Sequence, residues 1–182
     1  MGQSEFIYVM QSILVPFSDM LSYVIAIIGL CLILTALHRV RHHSHGQGSK
    51  HHSGMATFFF FFSGATIMNY SGFAQIICTA LLGKFTDTGT NPMTVQYYIN
   101  LVNTSDSASQ QLEYFVFSVL LVIGLLAFVR GLVLLVKLGE GHTEGTLPKA
   151  MTHILGGAIG VNASALYQIF INFNNGFHSI SS

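Results

Sequence analysis

Six of the nine histidines crowd one stretch of the chain: His38, His42, His43, His45, His51 and His52. Clustered imidazoles can hold zinc, nickel or copper, so a metal-binding loop is the chemistry to consider first. No Cys or carboxylate lies between them, and paired histidines in Gly/Ser sequence impose no fixed geometry. The favoured reading is a solvated, partly protonated loop that meets anionic headgroups. No metal site is expected.

Two asparagines and one arginine matter more, because each falls inside an apolar run. Asn69 and Asn162 lie near the middle of theirs, where an amide must find a partner on another helix, at roughly 1 kcal/mol per bond. Helix packing is the leading reading, and a midplane substrate or ion site the other. Arg130 is a functional candidate because charge inside a membrane is costly. It is close enough to a boundary to snorkel, to meet another helix, or to meet a lipid phosphate or partner. Cys31 and Cys78 sit in apolar runs and behave as small hydrophobes. The chain carries no nucleophile elbow, phosphate loop, zinc-protease pair or paired carboxylates at catalytic spacing. No catalytic residue, no cofactor and no enzymatic activity are expected.

The elements that hold these residues follow from composition. Of 182 residues, 51% are hydrophobic and 8% charged, whereas an ordinary soluble domain is charged at about a quarter of its positions. The bilayer is the natural solvent for such a chain. Net charge is zero, so bulk electrostatics give no case for nucleic-acid binding, and sequence-specific contact with nucleic acid is not expected. Four runs, near Met20–His38, Ala56–Leu82, Tyr114–Val136 and Ala150–Ile171, are each long enough for the about 20 helical residues that cross hydrocarbon. The fold class is therefore an all-α membrane protein whose four transmembrane helices form two tandem helical hairpins, preceded by an N-terminal interfacial helix ending near Pro16. A single long helix from about Phe6 to His38, kinked at Pro16, is the alternative. No Lys or Arg precedes Arg39, so a secretory signal is not expected and the first apolar segment should remain.

Basic residues gather at Arg39, Arg41, Lys50, Lys137 and Lys149. The positive-inside rule places loops 39–55 and 137–149 in the cytoplasm and both termini on the other side. The organisation expected is an interfacial helix (1–19), a first hairpin (20–83), a non-cytoplasmic loop (84–113), a second hairpin (114–173) and a tail (174–182). Within the long loop, Tyr97-Tyr98-Ile99-Asn100-Leu101-Val102 suggests a short interfacial helix.

The hairpins look like copies. Ser63-Gly64-Ala65-Thr66-Ile67-Met68-Asn69 returns as Gly156-Gly157-Ala158-Ile159-Gly160-Val161-Asn162, a displacement of 156 − 63 = 93. Ile27-Ile28-Gly29-Leu30, leading to Leu37-His38-Arg39, parallels Val122-Ile123-Gly124-Leu125, leading to Leu135-Val136-Lys137. With both turns on one side, the copies are related about the membrane normal. Gly156, Gly160 and Ser164 form a small-residue face on the fourth span, and Ala127 with Gly131 forms another on the third. The five consecutive rings Phe58 to Phe62 wrap all round their helix as filler or interface.

The segment Arg130-Gly131-Leu132 through Lys137-Leu138-Gly139-Glu140, then Gly145, Lys149, Thr152-His153-Ile154-Leu155-Gly156-Gly157 and Val161-Asn162, resembles the DotE/IcmC-like family and the related TraQ-type proteins of I-type conjugative plasmids. The likeness is clearest over Gly124–Ala165 and weaker over Gly29–Asn69. It implies a small non-catalytic subunit of a type IVB secretion or conjugation apparatus in the bacterial inner membrane. Its expected partners are membrane lipids, bound phospholipid among them, and other subunits of the machine. Contacts to lipid or partner would fall to Arg39, Arg41, Lys137 and Arg130. Helical hairpins with basic turns are also how conjugative pilins look, so a homo-oligomer or extruded filament is a bolder form of the same reading. A small transporter or channel with midplane Asn sites is the alternative.

Overall fold

The computed structural model describes residues 3–44, 54–82, 95–105, 107–142, 146–167 and 169–171. These form α1 (Gln3–Ser44), α2 (Gly54–Met68), α3 (Tyr70–Leu82), α4 (Val95–Thr104), α5 (Ala108–Gly139), α6 (Leu147–Val161) and α7 (Ala163–Ile171). There is no strand among the described residues. Two helices are long and apolar enough to cross a membrane, α1 over Ser12–His42 and α5 over Ala108–Gly139, with α6 and α7 a third if the bent pair counts as one span.

Of the two readings of the N-terminal region, the single long helix is the one observed. Pro16 lies inside α1 without ending it. A proline costs one backbone hydrogen bond, and long apolar helices tolerate this because the many remaining bonds and neighbouring elements hold the segment. The separate helix expected over residues 1–19 is thus the first part of α1.

At 1.5 Å per residue α5 is about 48 Å long. Its ends are both chemically capped. Ser107 Oγ accepts from the Gln110 N–H at 3.3 Å. At the other end Gly141, with φ 79°, turns the chain left-handed. There the Gly141 N–H donates to Leu138 O, and the His142 N–H to Lys137 O, each at 3.0 Å. These two bonds make a Schellman close, and Lys137 in the last turn meets the negative end of the helix dipole.

The core is arranged around α5. Phe128 and Leu132 are fully buried, flanked by Ile67 of α2, Ala74 of α3, and Ala150 and Ile154 of α6. The segment 97–102 does form a helix, within α4, and it does more than lie at an interface. Tyr98 and Val102 are buried, and Tyr98 packs with Phe117, Leu121 and Val122 of α5. One face of α1 stays bare along its length, including Ile13, Met20, Tyr23, Ile27, Leu34 and Leu37. An apolar face of that extent suits hydrocarbon better than water.

The C-terminal ends of α1 and α5 meet. An Arg39 guanidinium N–H donates to Glu140 Oε1 at 2.5 Å, and the guanidinium carbon sits 4.0 Å from the centroid of the Phe60 ring. The helix ends that lead into residues 45–53 and 143–145 therefore lie side by side.

Candidate functional site

Two helix pairs, α1 with α2 and α5 with α6, each close at a pair of glycines. In the first, a Cβ added to Gly64 would come within 2.9 Å of Gly29 O and 3.0 Å of Ile33 N. In the second, a Cβ on Gly157 would come within 2.4 Å of Phe128 N and 2.7 Å of Gly124 O. These are equivalent positions: 157 − 64 = 93, while 124 − 29 and 128 − 33 both give 95. Two backbones come this close only where side chains are absent, and in lipid such van der Waals contact is a main source of helix association. The repeat seen in sequence is therefore repeated as a contact. The parallel between Arg39 and Lys137 does not keep that register, since 137 − 39 = 98.

The α5–α6 pair carries the contact further. Gly131 would meet Ile154 N at 2.7 Å and Ala150 O at 3.0 Å, and Gly160 would meet Gly124 Cα at 2.9 Å. Gly131 and Gly160 thus lie in the α5–α6 contact, and Ala127 is half-buried. Gly156 lies outside that contact. It is exposed, and a Cβ there would meet nothing within 4 Å. Its neighbour Gly157, about 100° round the helix, takes the role given to Gly156. Ser164 is also not part of that face: its hydroxyl pairs with the Tyr98 hydroxyl of α4. Burial raises the Tyr98 phenol pKa above its ordinary value, and the Ser164 hydrogen bond pulls it the other way.

The second and fourth apolar runs are broken helices, and the break is an asparagine each time. Asn69 separates α2 from α3, and Asn162 separates α6 from α7, which bends 72° away from α6. Asn162 has φ −104° and ψ 23°, outside the helical well. Its amide repairs the damage: Nδ2 donates to Ala158 O in its own helix at 2.8 Å and reaches Ala74 O of α3 at 3.4 Å. Asn162 is buried and ties the end of α6 to α3. Asn69 does not match it. Its side chain is exposed and makes no hydrogen bond among the described residues. It lies back over Gly72, where an added Cβ would come within 2.9 Å of Nδ2. The residue equivalent to Gly72 in the second copy is Ala165 (72 + 93), which leaves no such resting place.

A further bond links α2 to α5: Ser63, fully buried, donates from Oγ to Leu132 O at 3.2 Å. In sequence Ser63 stands out only as part of the repeat and Tyr98 only as part of the interfacial segment; for Ser63, a hydroxyl inside an apolar run is the available signal.

The basic residues divide. Arg39 is committed within the chain, its side chain only 14% exposed between Glu140 and Phe60, so a lipid or partner contact is not its principal one. Arg41 is exposed and Lys137 half-exposed. Arg130 projects from the exposed side of α5, with no partner among the described residues. In the Phe run, Phe60 is buried beneath Arg39 while Phe58 and Phe61 face outward. Cys31 is a free, exposed thiol, and the side chain of Cys78 lies outside the described residues.

Of the histidine cluster, His38 and His42 stack edge to face at 4.6 Å between ring centroids on the last turns of α1. The side chain of His43, and all of His45, His51 and His52, lie outside the described residues. No group of three or more potential metal ligands comes together among the described residues. Among the described residues the arrangement offers close backbone contacts, two interruptions of apolar helices and an exposed asparagine amide without a hydrogen bond. No family model matches the chain, and neither a curated protein nor a solved structure is similar to it.

Proposed function

We propose that the chain is a non-catalytic integral membrane subunit of a type IVB-like secretion or conjugation apparatus in the bacterial inner membrane. In this reading α1, α2–α3, α5 and α6–α7 are four spans forming two tandem hairpins. Loops 39–55 and 137–149 are cytoplasmic by their charge and both termini are periplasmic. The observation that carries the proposal is the duplicated glycine contact, Gly29 with Gly64 and Gly124 with Gly157. It is a device for packing helices in lipid, and it uses residues on which the family resemblance rests: Gly131, Gly157 and Asn162 hold α5 and α6 together or tie them to α3. Arg130, outward-facing and without a partner among the described residues, is suited to a phospholipid phosphate or to a neighbouring subunit.

The test is transfer. Deleting the chain from a cell that carries such an apparatus should abolish delivery of protein or plasmid DNA to a recipient. The unaltered chain should restore it and Gly157→Leu should not. Normal transfer by the deletion strain would overturn the proposal.

One observation favours a second reading, a small transporter or channel. Broken helices at mid-span are how many transporters present backbone groups to substrates and ions, and both breaks here carry an amide. That reading predicts flux of a defined ion into proteoliposomes, lost in the Asn69→Leu, Asn162→Leu double variant. Flux that survives both changes would exclude the asparagine sites.

A further inference from the structure

The two copies do not face each other symmetrically. If they did, each contact from the first copy to the second would be matched by its converse. Ser63 of α2 bonds to Leu132 of α5. The converse pair is Gly156 (63 + 93) with Leu37 (132 − 95). Those two residues are apart: Gly156 has open space around it, Leu37 is 53% exposed, and α1 and α6 do not touch among the described residues. Likewise Asn162 reaches Ala74. The converse pair is Asn69 with Tyr167 (74 + 93). Asn69 is exposed with no side-chain hydrogen bond among the described residues, and Tyr167 is 41% exposed.

A contact that is used once, in one direction, between two equivalent units is heterologous. It leaves one half of itself bare at each end of the pair, and a further unit of the same kind fits there. We infer that this chain associates head to tail with a second copy of itself. The α6 face around Gly156 receives the α1 face around Leu37 of the next molecule, and Asn69 of that molecule donates to the Tyr167 carbonyl of the first.

The bare surfaces are of the right chemistry. Gly156 offers the close approach that Ser63 offers within the chain, and the depth matches, since each stands six residues before its asparagine (69 − 63 and 162 − 156). Leu37 continues the bare apolar face of α1. The Asn69 amide, without a hydrogen bond among the described residues and costly against hydrocarbon, gains the kind of acceptor its equivalent already has. Repeated, the contact closes a ring or extends a filament, according to the rotation between units. The inference rests on the repeat and its contacts, not on the secretion reading, and it can be tested with the protein alone.

The experiment replaces Cys31 and Cys78 by Ala, adds Gly156→Cys and Leu37→Cys singly and together, and reconstitutes each purified variant into phosphatidylcholine/phosphatidylglycerol vesicles. Crosslinking with copper phenanthroline, and in parallel with a short bis-maleimide, is read on non-reducing gels. The double variant should give a ladder of dimer, trimer and higher species, while each single variant stays monomeric. Adding Asn69→Leu should weaken the ladder at least several-fold. A dimer from either single variant would show a face-to-face pair, and an internal crosslink without a ladder would show that α1 and α6 meet within one chain. Either result, or monomer alone with both reagents, would overturn the inference.

Discussion

Adding one methyl group at Gly157 should separate this account from one in which any small residue on α6 serves. In Gly157→Ala the new Cβ would stand 2.4 Å from Phe128 N and 2.6 Å from Phe128 Cα, where ordinary contact begins near 3.4 Å. Both neighbours are backbone, so no rotamer change relieves the clash, and α5 and α6 must part by about 1 Å. Overpacking of this kind typically costs about 1–3 kcal/mol, and the upper half of that range is expected because Gly124, Gly131 and Gly160 share the contact. Gly64→Ala should cost less, since its backbone neighbours, Gly29 O at 2.9 Å and Ile33 N at 3.0 Å, leave more room than those of Gly157, and its nearest atom, Ile33 Cγ1 at 2.8 Å, belongs to a side chain that can turn away. Gly156→Ala meets nothing within 4 Å, so it should change stability by less than about 0.5 kcal/mol. The assay is reversible unfolding of the purified protein in mixed micelles of rising sodium dodecyl sulfate content, followed by loss of helical circular dichroism. The predicted order of damage is Gly157, then Gly64, then Gly156. A Gly156→Ala variant as damaged as Gly157→Ala would refute the reasoning.

Asn162→Leu leaves the Ala158 and Ala74 carbonyls without the amide and should lower stability by about 1 kcal/mol, as interhelical bonds in membranes do. Asn69→Leu in the monomer should be close to neutral in the same micelle titration. Arg39 and Glu140 should couple in a double-mutant cycle of Arg39→Gln and Glu140→Gln by less than about 1 kcal/mol, because water reaches the carboxylate. That coupling should shrink as salt rises. Tyr98→Phe removes the hydroxyl that meets Ser164 and should loosen α4 from α7, seen as faster proteolysis within residues 95–105 while α5 stays protected.

Much of this was legible in the residues. Apolar length alone marks α1 and α5 as helices, and the asparagines are visible as polar groups where lipid has nothing to offer. The displacement of 93 brings Gly64 onto Gly157 before the fold is known. What stayed hidden is mostly register. Gly156 and Gly157 are chemically identical neighbours, and only the direction from which α5 approaches decides which one is buried. The bend at Asn162 is equally hard to see, because an amide tolerates a helix interior, and it is the carbonyls of Ala158 and Ala74 that accept its hydrogens here. Pro16 misled in the other direction, a helix breaker inside a helix that persists. Arg39 with Glu140, and Tyr98 with Ser164, lie 101 and 66 residues apart. No local pattern announces such pairs.

The central claim is that one hairpin occurs twice, in parallel, with both turns on the same side of a membrane. Single cysteines in a Cys31→Ala, Cys78→Ala background, at Ser49, Thr143 and Thr88, test it with a membrane-impermeant maleimide applied to intact spheroplasts and to inverted vesicles. Labelling of Ser49→Cys and Thr143→Cys from the cytoplasmic face only, and of Thr88→Cys from the opposite face only, is the predicted result. Labelling of positions 49 and 143 from opposite faces would contradict the parallel repeat.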